Sequence, residues 1–486
     1  MILYDDAHLL AVNKPSGINT HKPDRFAPDG IHEWLSRRHG ALSVLHRLDK
    51  ETSGVLLFGK TRAANQSLSR QFESHQIQKT YLLLSSSRPS RQKFRAHTAD
   101  AETEFEFLQP HGNLFLIEAR PITGKTHQIR RHAAVNGFPI AGDVKYGGEP
   151  ASRLMLHARR IAFVHPGSGD AMTLEAGVPA AFEDGDPFVA AKEFRELIFG
   201  DDTNAFRLVS DAADGAPGVI VDSYDGRLFV QWQTESVDTA LYERLNAPVI
   251  YEQVCTKQKR TTARGVRGVT EEKFPVRENG LTFLVGFDEG LSTGLFIDQR
   301  ENRWRLLQMN LRGKSVLNTF AYTCAFSVGA AKVGAAATSV DLSQKYLEWG
   351  KENFRANNLA TDGHEFLSGD VFEWFKRFAK RGRQWDVVIL DPPTFSTTKD
   401  GRRFQAERDY GDLAAQAMGL VARGGILFCS TNQRTLAPEK FETTVRDAAR
   451  TQGRVIESAE PVTLPFDFRV AEGERPYLKT LWTRLE

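Results

Sequence analysis

Cysteine is scarce in this sequence. Its three copies, Cys255, Cys324 and Cys429, lie far apart and outside any C-x-x-C spacing, so neither a disulfide framework nor a zinc site is expected, no metal is assigned, and a reducing cytoplasm fits. Long apolar runs are missing too. Stretches such as Val387 to Leu390 are far too short to cross a bilayer, and Met1-Ile2-Leu3-Tyr4-Asp5-Asp6 has no basic region leading into an apolar one; a soluble, unexported chain with no membrane partner is expected. No sign of charge dominates. The net charge of +2 neither requires nor excludes a nucleic acid, which leaves that question to local clusters. Internal repeats and low-complexity tracts are absent. So is the G-x-G-x-x-G fingerprint in the C-terminal half, where Tyr322-Thr323-Cys324-Ala325 follows the first strand of an α/β pattern; a nicotinamide oxidoreductase is thereby disfavoured.

What is present is enough for more than one core. With 486 residues and 41% hydrophobic content, the chain exceeds the roughly 250 to 300 residues at which single cores stop growing. Glu183-Asp184-Gly185-Asp186-Pro187 and Gly200-Asp201-Asp202-Thr203-Asn204 are acidic and turn-rich, as linker ends are, and Phe188 to Phe199 between them reads as a short connecting helix. Val219-Ile220-Val221-Asp222 and Leu228-Phe229-Val230-Gln231-Trp232 flank Tyr224-Asp225-Gly226 and predict a hairpin. After about Glu271 apolar strands alternate with amphipathic helices, the rhythm of a parallel α/β sheet. The expected organisation is multidomain: an α+β domain over 1–187, a connecting helix and small α+β domain over 188–275, and an α/β Rossmann-like domain over 276–486.

Residues His46-Arg47-Leu48-Asp49-Lys50-Glu51-Thr52-Ser53-Gly54 set one carboxylate among basic neighbours, ahead of the strand Val55-Leu56-Leu57-Phe58. Flanking cations keep an aspartate ionised at neutral pH, the state a nucleophile or general base needs; a solvated surface loop would read alike. The wider setting is more specific. Ala11-Val12-Asn13-Lys14-Pro15-Ser16-Gly17-Ile18 lies upstream. Downstream come Lys79-Thr80-Tyr81, then Arg120-Pro121-Ile122-Thr123-Gly124-Lys125-Thr126-His127-Gln128-Ile129-Arg130-Arg131-His132, Gly142-Asp143-Val144-Lys145-Tyr146-Gly147 and Leu156-His157-Ala158. In this order and spacing, residues 1–165 closely resemble the RluA-type pseudouridine synthases. The resemblance implies that Asp49 is the catalytic aspartate, that Tyr81 packs on the target uracil, that Arg130 pairs with Asp49, and that Arg47 fills the gap left by a flipped-out uridine. Extracting a base costs about a few kcal/mol, and a planar guanidinium suits the void. No cofactor is implied for the isomerisation. Lys125, a candidate RNA contact, stands where arginine is frequent in the family, keeping charge but losing the bidentate fork, and no S4-like RNA-binding module is recognised.

In the C-terminal half, Val316-Leu317-Asn318-Thr319-Phe320-Ala321-Tyr322-Thr323 is an apolar strand running into a small-residue turn, and Asp341 closes the next apolar run. An acid at the end of the second strand of a doubly wound sheet is placed to accept ribose hydroxyls of an adenosine-containing cofactor. Asp370 follows a third strand position, where it could hold an adenine amine, and Asp386-Val387-Val388-Ile389-Leu390 ends at Asp391-Pro392-Pro393-Thr394-Phe395. Each acid alone also reads as a helix cap, but four polar residues, Asn318 and three acids, match four strand ends. The double proline removes two backbone donors and fixes two φ angles, making a rigid rim that holds an acceptor base in line. Together with Ser292-Thr293-Gly294-Leu295-Phe296-Ile297-Asp298-Gln299-Arg300, Val340-Asp341-Leu342-Ser343, Ser368-Gly369-Asp370 and the Asp214 to Asp222 stretch, these blocks make residues 205–486 resemble the RlmI/RlmK-type methyltransferases of large-subunit ribosomal RNA. The resemblance implies S-adenosyl-L-methionine held by Gln299, Asn318, Phe320, Tyr322, Thr323, Asp341, Leu342, Asp370, Val371 and Asp391, with Asp391, Pro392 and Pro393 beside the transferred methyl group. Glycines are common in relatives where Cys324 and Ala325 stand, a change expected to narrow the cofactor's space.

A 5-methylcytosine product needs a cysteine that adds to the pyrimidine. The matching position here is Asn432, while Cys429 falls in the apolar run Ile426-Leu427-Phe428 and reads as core; a guanine nitrogen is the favoured acceptor, 5-methylcytosine the alternative. Lys257, Lys259, Arg260, Arg264 and Arg267 form an acid-free run, a solvated loop or a phosphate track. The expected function is a bifunctional enzyme acting on 23S ribosomal RNA or a pre-ribosomal particle, with no obligate protein partner. The alternative is a synthase whose methyltransferase-like half only binds RNA.

Overall fold

Leu9-Leu10-Ala11-Val12 and the whole strand Ser53–Gly59 are apolar or small at consecutive positions, and both runs are buried, as strands covered on both faces must be. They lie inside a ten-stranded sheet. In this computed structural model, which describes residues 1–183, 185–256, 258–288, 292–397, 403–471 and 473–486, the chain separates into two compact units: Met1–Pro23, Asp29–Ile198 and Asp214–Ala216 make the first, Asp24–Pro28, Phe199–Ala213 and Pro217–Glu486 the second.

In the first unit the sheet order is Ile2–Asp5, Leu9–Lys14, Ser53–Gly59, Leu156–Val164, Gln78–Ser85, Leu114–Pro121, Ala101–His111 and Lys93–Thr98, with Ser43–Val44 and Ala171–Glu175 added beside the third and fourth strands. One pairing is parallel, Ser53 and Gly54 against His157 and Ala158. Gly54 is required there: its φ is +116°, and a Cβ would lie 2.2 Å from the Ala158 carbonyl oxygen. This close approach fixes the chain directly after the 46–52 loop. Helices Ile31–His39, Arg62–Glu73 and Gln128–Val135 complete the unit, the second started by Thr61, whose side chain accepts from the Ala64 amide as an N-cap does. The connecting helix Pro187–Ile198 belongs to this unit as well, held by a buried bidentate pair, Arg195 to Asp214, at 2.9 and 2.6 Å.

The second unit begins with a five-stranded sheet, Ala205–Ser210, Val219–Tyr224, Arg227–Trp232, Ile250–Val254 and Arg264–Arg267. Its first tight turn is Asp225-Gly226, both at positive φ (54° and 78°), the geometry that Asp-Gly favours between paired strands. The segment 188–275 is thus divided, its helix in one unit and its sheet in the other. A seven-stranded sheet follows in the order Glu365–Ser368, Ala336–Asp341, Ser315–Thr319, Trp385–Leu390, Val421–Thr431, Lys479–Leu485 and Ile456–Val462. The first five are parallel; Lys479–Leu485 runs antiparallel to both its neighbours. Helix Gln344–Ala356 buries Leu347, Gly350 and Phe354, one stripe at the expected spacing. Among the described residues no helix is long and apolar enough to cross a membrane.

Candidate active sites

Asp49 sits in a loop that is tied on both sides. The buried Lys14 ammonium donates to the carbonyls of Pro15, Ile18 and Lys50 at 2.9, 2.8 and 3.1 Å, the Gly17 amide donates to the same Lys50 carbonyl, and the Thr20 hydroxyl bridges to the Leu48 backbone. A buried ammonium satisfied by carbonyls works as a clamp. Around the half-buried Asp49 carboxylate, Arg130 Nη1 lies 3.5 Å from Oδ2 and His127 Nε2 lies 3.9 Å from Oδ1. Burial works against the Arg130 charge, but Asp143 and then Asp49 hold its pKa above the ordinary value. Tyr81 is half-buried beside them, its phenol pushed up by burial and by the Asp49 charge. Arg47 is exposed, and Lys125 lies at the surface 3.7 Å from Asp100.

His46, next in the motif, turns inward. Its Nε2 accepts from the Leu57 amide at 3.1 Å, and burial, with Lys79 nearby, pushes its pKa down to about 3, so it is a neutral, partly buried imidazole. Three further residues meet at this site: His127, Asp143 and Tyr146. All were visible in the sequence blocks, yet nothing in the spacing says that one turn brings an acid and a phenol behind Arg130.

In the second unit a cavity of about 340 Å³ opens beyond the carboxyl ends of all five parallel strands, the usual ligand position in such sheets. Phe320 and Tyr322 follow the strand Ser315–Thr319, Asp341 and Leu342 end the next, Asp370 and Val371 follow the third, Asp391, Pro392 and Pro393 the fourth, and Asn432 the fifth; Gln299 lines it from below. The Asp341 carboxylate is fixed by the amides of Tyr322 and Ser343, each at 2.8 Å, while burial raises its pKa. Asp370 caps the helix Val371–Lys380 through the Glu373 amide and still lines the cavity.

Asp391 is held from behind. Gln299 Nε2 donates to its Oδ2 at 3.0 Å and to Ser430 Oγ at 2.8 Å, and Asn302 donates to Gln299 Oε1 at 2.7 Å, which orients the amide. Burial, then the charge of Asp298, lifts the Asp391 carboxyl to about 6. Asp298 also lines the cavity, and its carboxyl, raised by burial, accepts from the Tyr477 hydroxyl at 2.8 Å. Asn318 and Thr323 stand apart from the lining: Asn318 is buried and donates to Ser327, and Thr323 donates to the Gly294 carbonyl at 2.6 Å. The Phe296, Asp298, Tyr346, Gly369, Asn432 and Leu478 positions line the cavity without having been singled out as cofactor contacts; Phe296 and Asp298 share the Gln299 block, while Leu478 comes from the segment just before the distant last strand, which no local pattern links to the others.

Cys324 does not narrow the cavity. It is fully buried at φ +61°, and its sulfur faces Gly350, where a Cβ would lie 2.4 Å from Sγ. Cys429 is buried in the sheet core, its thiol pushed up to about 12 by burial, while Asn432 at the mouth is hydrogen-bonded by Thr394. Of the basic run, Lys257 lies outside the described residues. Lys259 and Arg260 are exposed, whereas Arg264 is bonded to Glu252 at 2.6 Å and Arg267 to Glu243.

The family model for RNA pseudouridylate synthase matches residues 8–135, and that for S-adenosylmethionine-dependent methyltransferase matches residues 255–473. The chain is similar to YwbD of Bacillus subtilis, assigned as a ribosomal RNA large subunit methyltransferase, at 35% identity over 60% of this chain and 77% of that one. It is 30% identical to the ribosomal RNA large subunit methyltransferase of Deinococcus radiodurans over 70% of this chain and 90% of the relative. The ribosomal RNA large subunit methyltransferase K/L of Psychrobacter arcticus is 42% identical over 39% of this chain, a match that spans only 25% of the K/L protein. Among solved structures, SMU.776, assigned as a methyltransferase and complexed with SAH, superimposes with a TM-score of 0.55 and 26% identity over 67% of this chain and 87% of its own. The chain belongs to the family of the S-adenosylmethionine-dependent ribosomal RNA large subunit methyltransferases and carries an RNA pseudouridylate synthase domain ahead of the methyltransferase.

Proposed function

We propose that this enzyme makes two modifications in 23S ribosomal RNA, free or in a pre-ribosomal particle: uridine to pseudouridine at Asp49, and methylation of a guanine at the cavity bordered by Asp391. The observation that carries the reading is the placement of the motif acids. Asp49 lies in one compact unit, and Asp341, Asp370 and Asp391 surround one cavity in the other. The division at 187 and 275 is then one of roles, synthase, adaptor and methyltransferase, in a cytoplasmic protein without an obligate protein partner.

For the isomerisation, the N1–C1′ bond of uridine breaks, a C5–C1′ bond forms, one proton leaves C5 and one joins N1. Electrons and atoms balance within the substrate, so no cofactor takes part. Asp49 supplies the carboxylate that attacks or abstracts, with Arg130 beside it as charge partner. Tyr81 walls the detached uracil in, and the exposed Arg47 fills the space it leaves. Lys125 contacts the RNA backbone.

The second site fits S-adenosyl-L-methionine. Its volume lies in the range of small-ligand pockets, Asp341 is fixed where ribose hydroxyls would be accepted, and Phe320, Leu342 and Val371 supply apolar walls near Asp370. Bound there, the cofactor supplies an electrophilic methyl group. Asp391, oriented by Gln299, takes up the proton of the acceptor base on its carboxylate. Pro392 and Pro393 hold the rim rigid. Asn318 and Thr323 act at one remove, by bracing the turn that carries Phe320 and Tyr322. Guanine is favoured over cytosine as acceptor because Cys429 is sealed in the core and Asn432 stands at the mouth.

Asp49→Ala is expected to abolish pseudouridine formation and leave methyl transfer intact, and Asp391→Ala to do the reverse, as read by nucleoside mass spectrometry of modified ribosomal RNA. Loss of both activities from either change would overturn the two-site reading. Failure of the wild-type protein to retain labelled S-adenosylmethionine would reduce the second half to an RNA-binding module.

A further inference from the structure

Asp49 is approached from two sides by groups that stop short of it. Charge-assisted hydrogen bonds close at about 2.7 to 2.9 Å, yet Arg130 stays 3.5 Å and His127 3.9 Å away. One short turn, Val144–Tyr146, accounts for both gaps. Asp143, at the head of the turn and with its side chain fully buried, takes Arg130 Nε and Nη2 at 2.7 Å each. The guanidinium fork is thereby occupied, and only its Nη1 edge is turned to Asp49. Tyr146, at the end of the turn, places its hydroxyl 3.0 Å from His127 Nδ1 and its ring 5.2 Å from the Arg130 guanidinium carbon. The turn itself is seated against backbone: a Cβ on Gly142 would lie 2.0 Å from the Arg153 carbonyl oxygen, and one on Gly148 1.9 Å from that of Ile140.

We propose that Asp143 and Tyr146 are positioning residues for the synthase reaction, the turn between them holding Arg130 and His127 back so that Asp49 keeps both neighbours without having its oxygens taken up. The proposal rests on reading Asp49 as the reacting group. A bidentate arginine would engage both oxygens of a carboxylate and blunt it as a nucleophile. Released from Asp143, the fork of Arg130 has Asp49 as its nearest other acid. A buried Arg–Asp pair by itself can be structural only. What the geometry adds is that both arms of Asp49 trace to the two ends of one turn.

The test is a double-mutant cycle on the full chain, with pseudouridine formation and methyl transfer measured in the same preparations. Tyr146→Phe keeps the ring and removes the hydroxyl; His127→Gln removes the imidazole. Each is expected to lower kcat for pseudouridine about tenfold with KM for RNA unchanged, and the double variant to be no slower than the worse single, since both break one linkage. Asp143→Asn is expected to lower kcat further while methyl transfer stays at the wild-type rate. Wild-type kcat in Tyr146→Phe, or losses that multiply in the double variant, would overturn the proposal; the cycle decides even if Asp143→Asn fails to fold. An Asp49→Ala protein that still forms pseudouridine is a different failure, which removes the reading of Asp49 and the brace with it.

Discussion

At Asp391 burial and the neighbouring Asp298 lift the carboxyl from 3.8 to about 6, inside the range where an RNA enzyme can be assayed. The folded protein therefore binds this proton more tightly than the unfolded chain does. Well below pH 3.8 both states are protonated and the residue is neutral in its effect; as pH rises from there to about 6 the folded state loses stability, by at most about 3 kcal/mol for a shift of about two units, and the loss then stays constant. Asp391→Asn is expected to melt higher than wild type at pH 8 and at the same temperature at about pH 3, while methyl transfer is lost. Thermal melts at the two pH values check this, and an Asn–Asp difference that ignores pH would show that the carboxyl is not lifted. In the wild type, kcat/KM for methylation should fall below about pH 6, because the ionised carboxylate is the form that takes up a proton. The residues Asp391 and Asp49 were legible as candidates from their motif blocks. Their neighbours Asp298 and Asp143 lie in motif blocks as well, but what marks their roles is burial and a partner brought in by the fold.

The strand–turn–helix from Val316 to Lys332 shows where pattern reading ends. An apolar strand, a small-residue turn and an acid closing the next strand were readable from order and composition. The turn's backbone was not. Phe320, Tyr322 and Cys324 all take positive φ, at 55°, 49° and 61°, a region that normally favours glycine. Side chains at such positions point differently from those in an ordinary turn, and this is why Cys324, expected to crowd the cofactor, faces the core instead. Its room comes from Gly350, in the helix Gln344–Ala356, a compensation between elements that local propensity cannot register. Gly350→Ala should therefore destabilise the second unit by about 1 to 3 kcal/mol through overpacking, with Cys324→Gly restoring most of the loss. Chemical denaturation of the three variants tests the pairing; additive effects would mean that the two residues do not share the space.

On the scale of the whole molecule, composition called for more than one core and the order of the motif blocks pointed to two families, but the allocation of the connecting segment depended on a buried pair, Arg195 with Asp214, that no linear reading connects. The basic run from Lys257 to Arg267 changes in the same way. It contains no acid in sequence, yet the fold brings Glu252, on the neighbouring strand, to Arg264 and Glu243, on the short helix Ala240–Leu245, to Arg267. An arginine already bonded to a carboxylate releases little counterion on meeting a phosphate, so Arg264 and Arg267 should contribute less than Lys259. Each phosphate contact adds about 0.7 to 0.9 to the slope of log affinity against log salt. Replacing Lys259 by alanine is expected to flatten that slope by about 0.7 to 0.9 and to raise KM for methyl transfer, whose cavity lies in the same unit. The Arg264→Ala, Arg267→Ala pair should move the slope by less than half as much. Binding of ribosomal RNA fragments measured across a salt series separates the two outcomes: equal slopes for all three proteins would mean that this loop is solvated surface and that the RNA is held elsewhere.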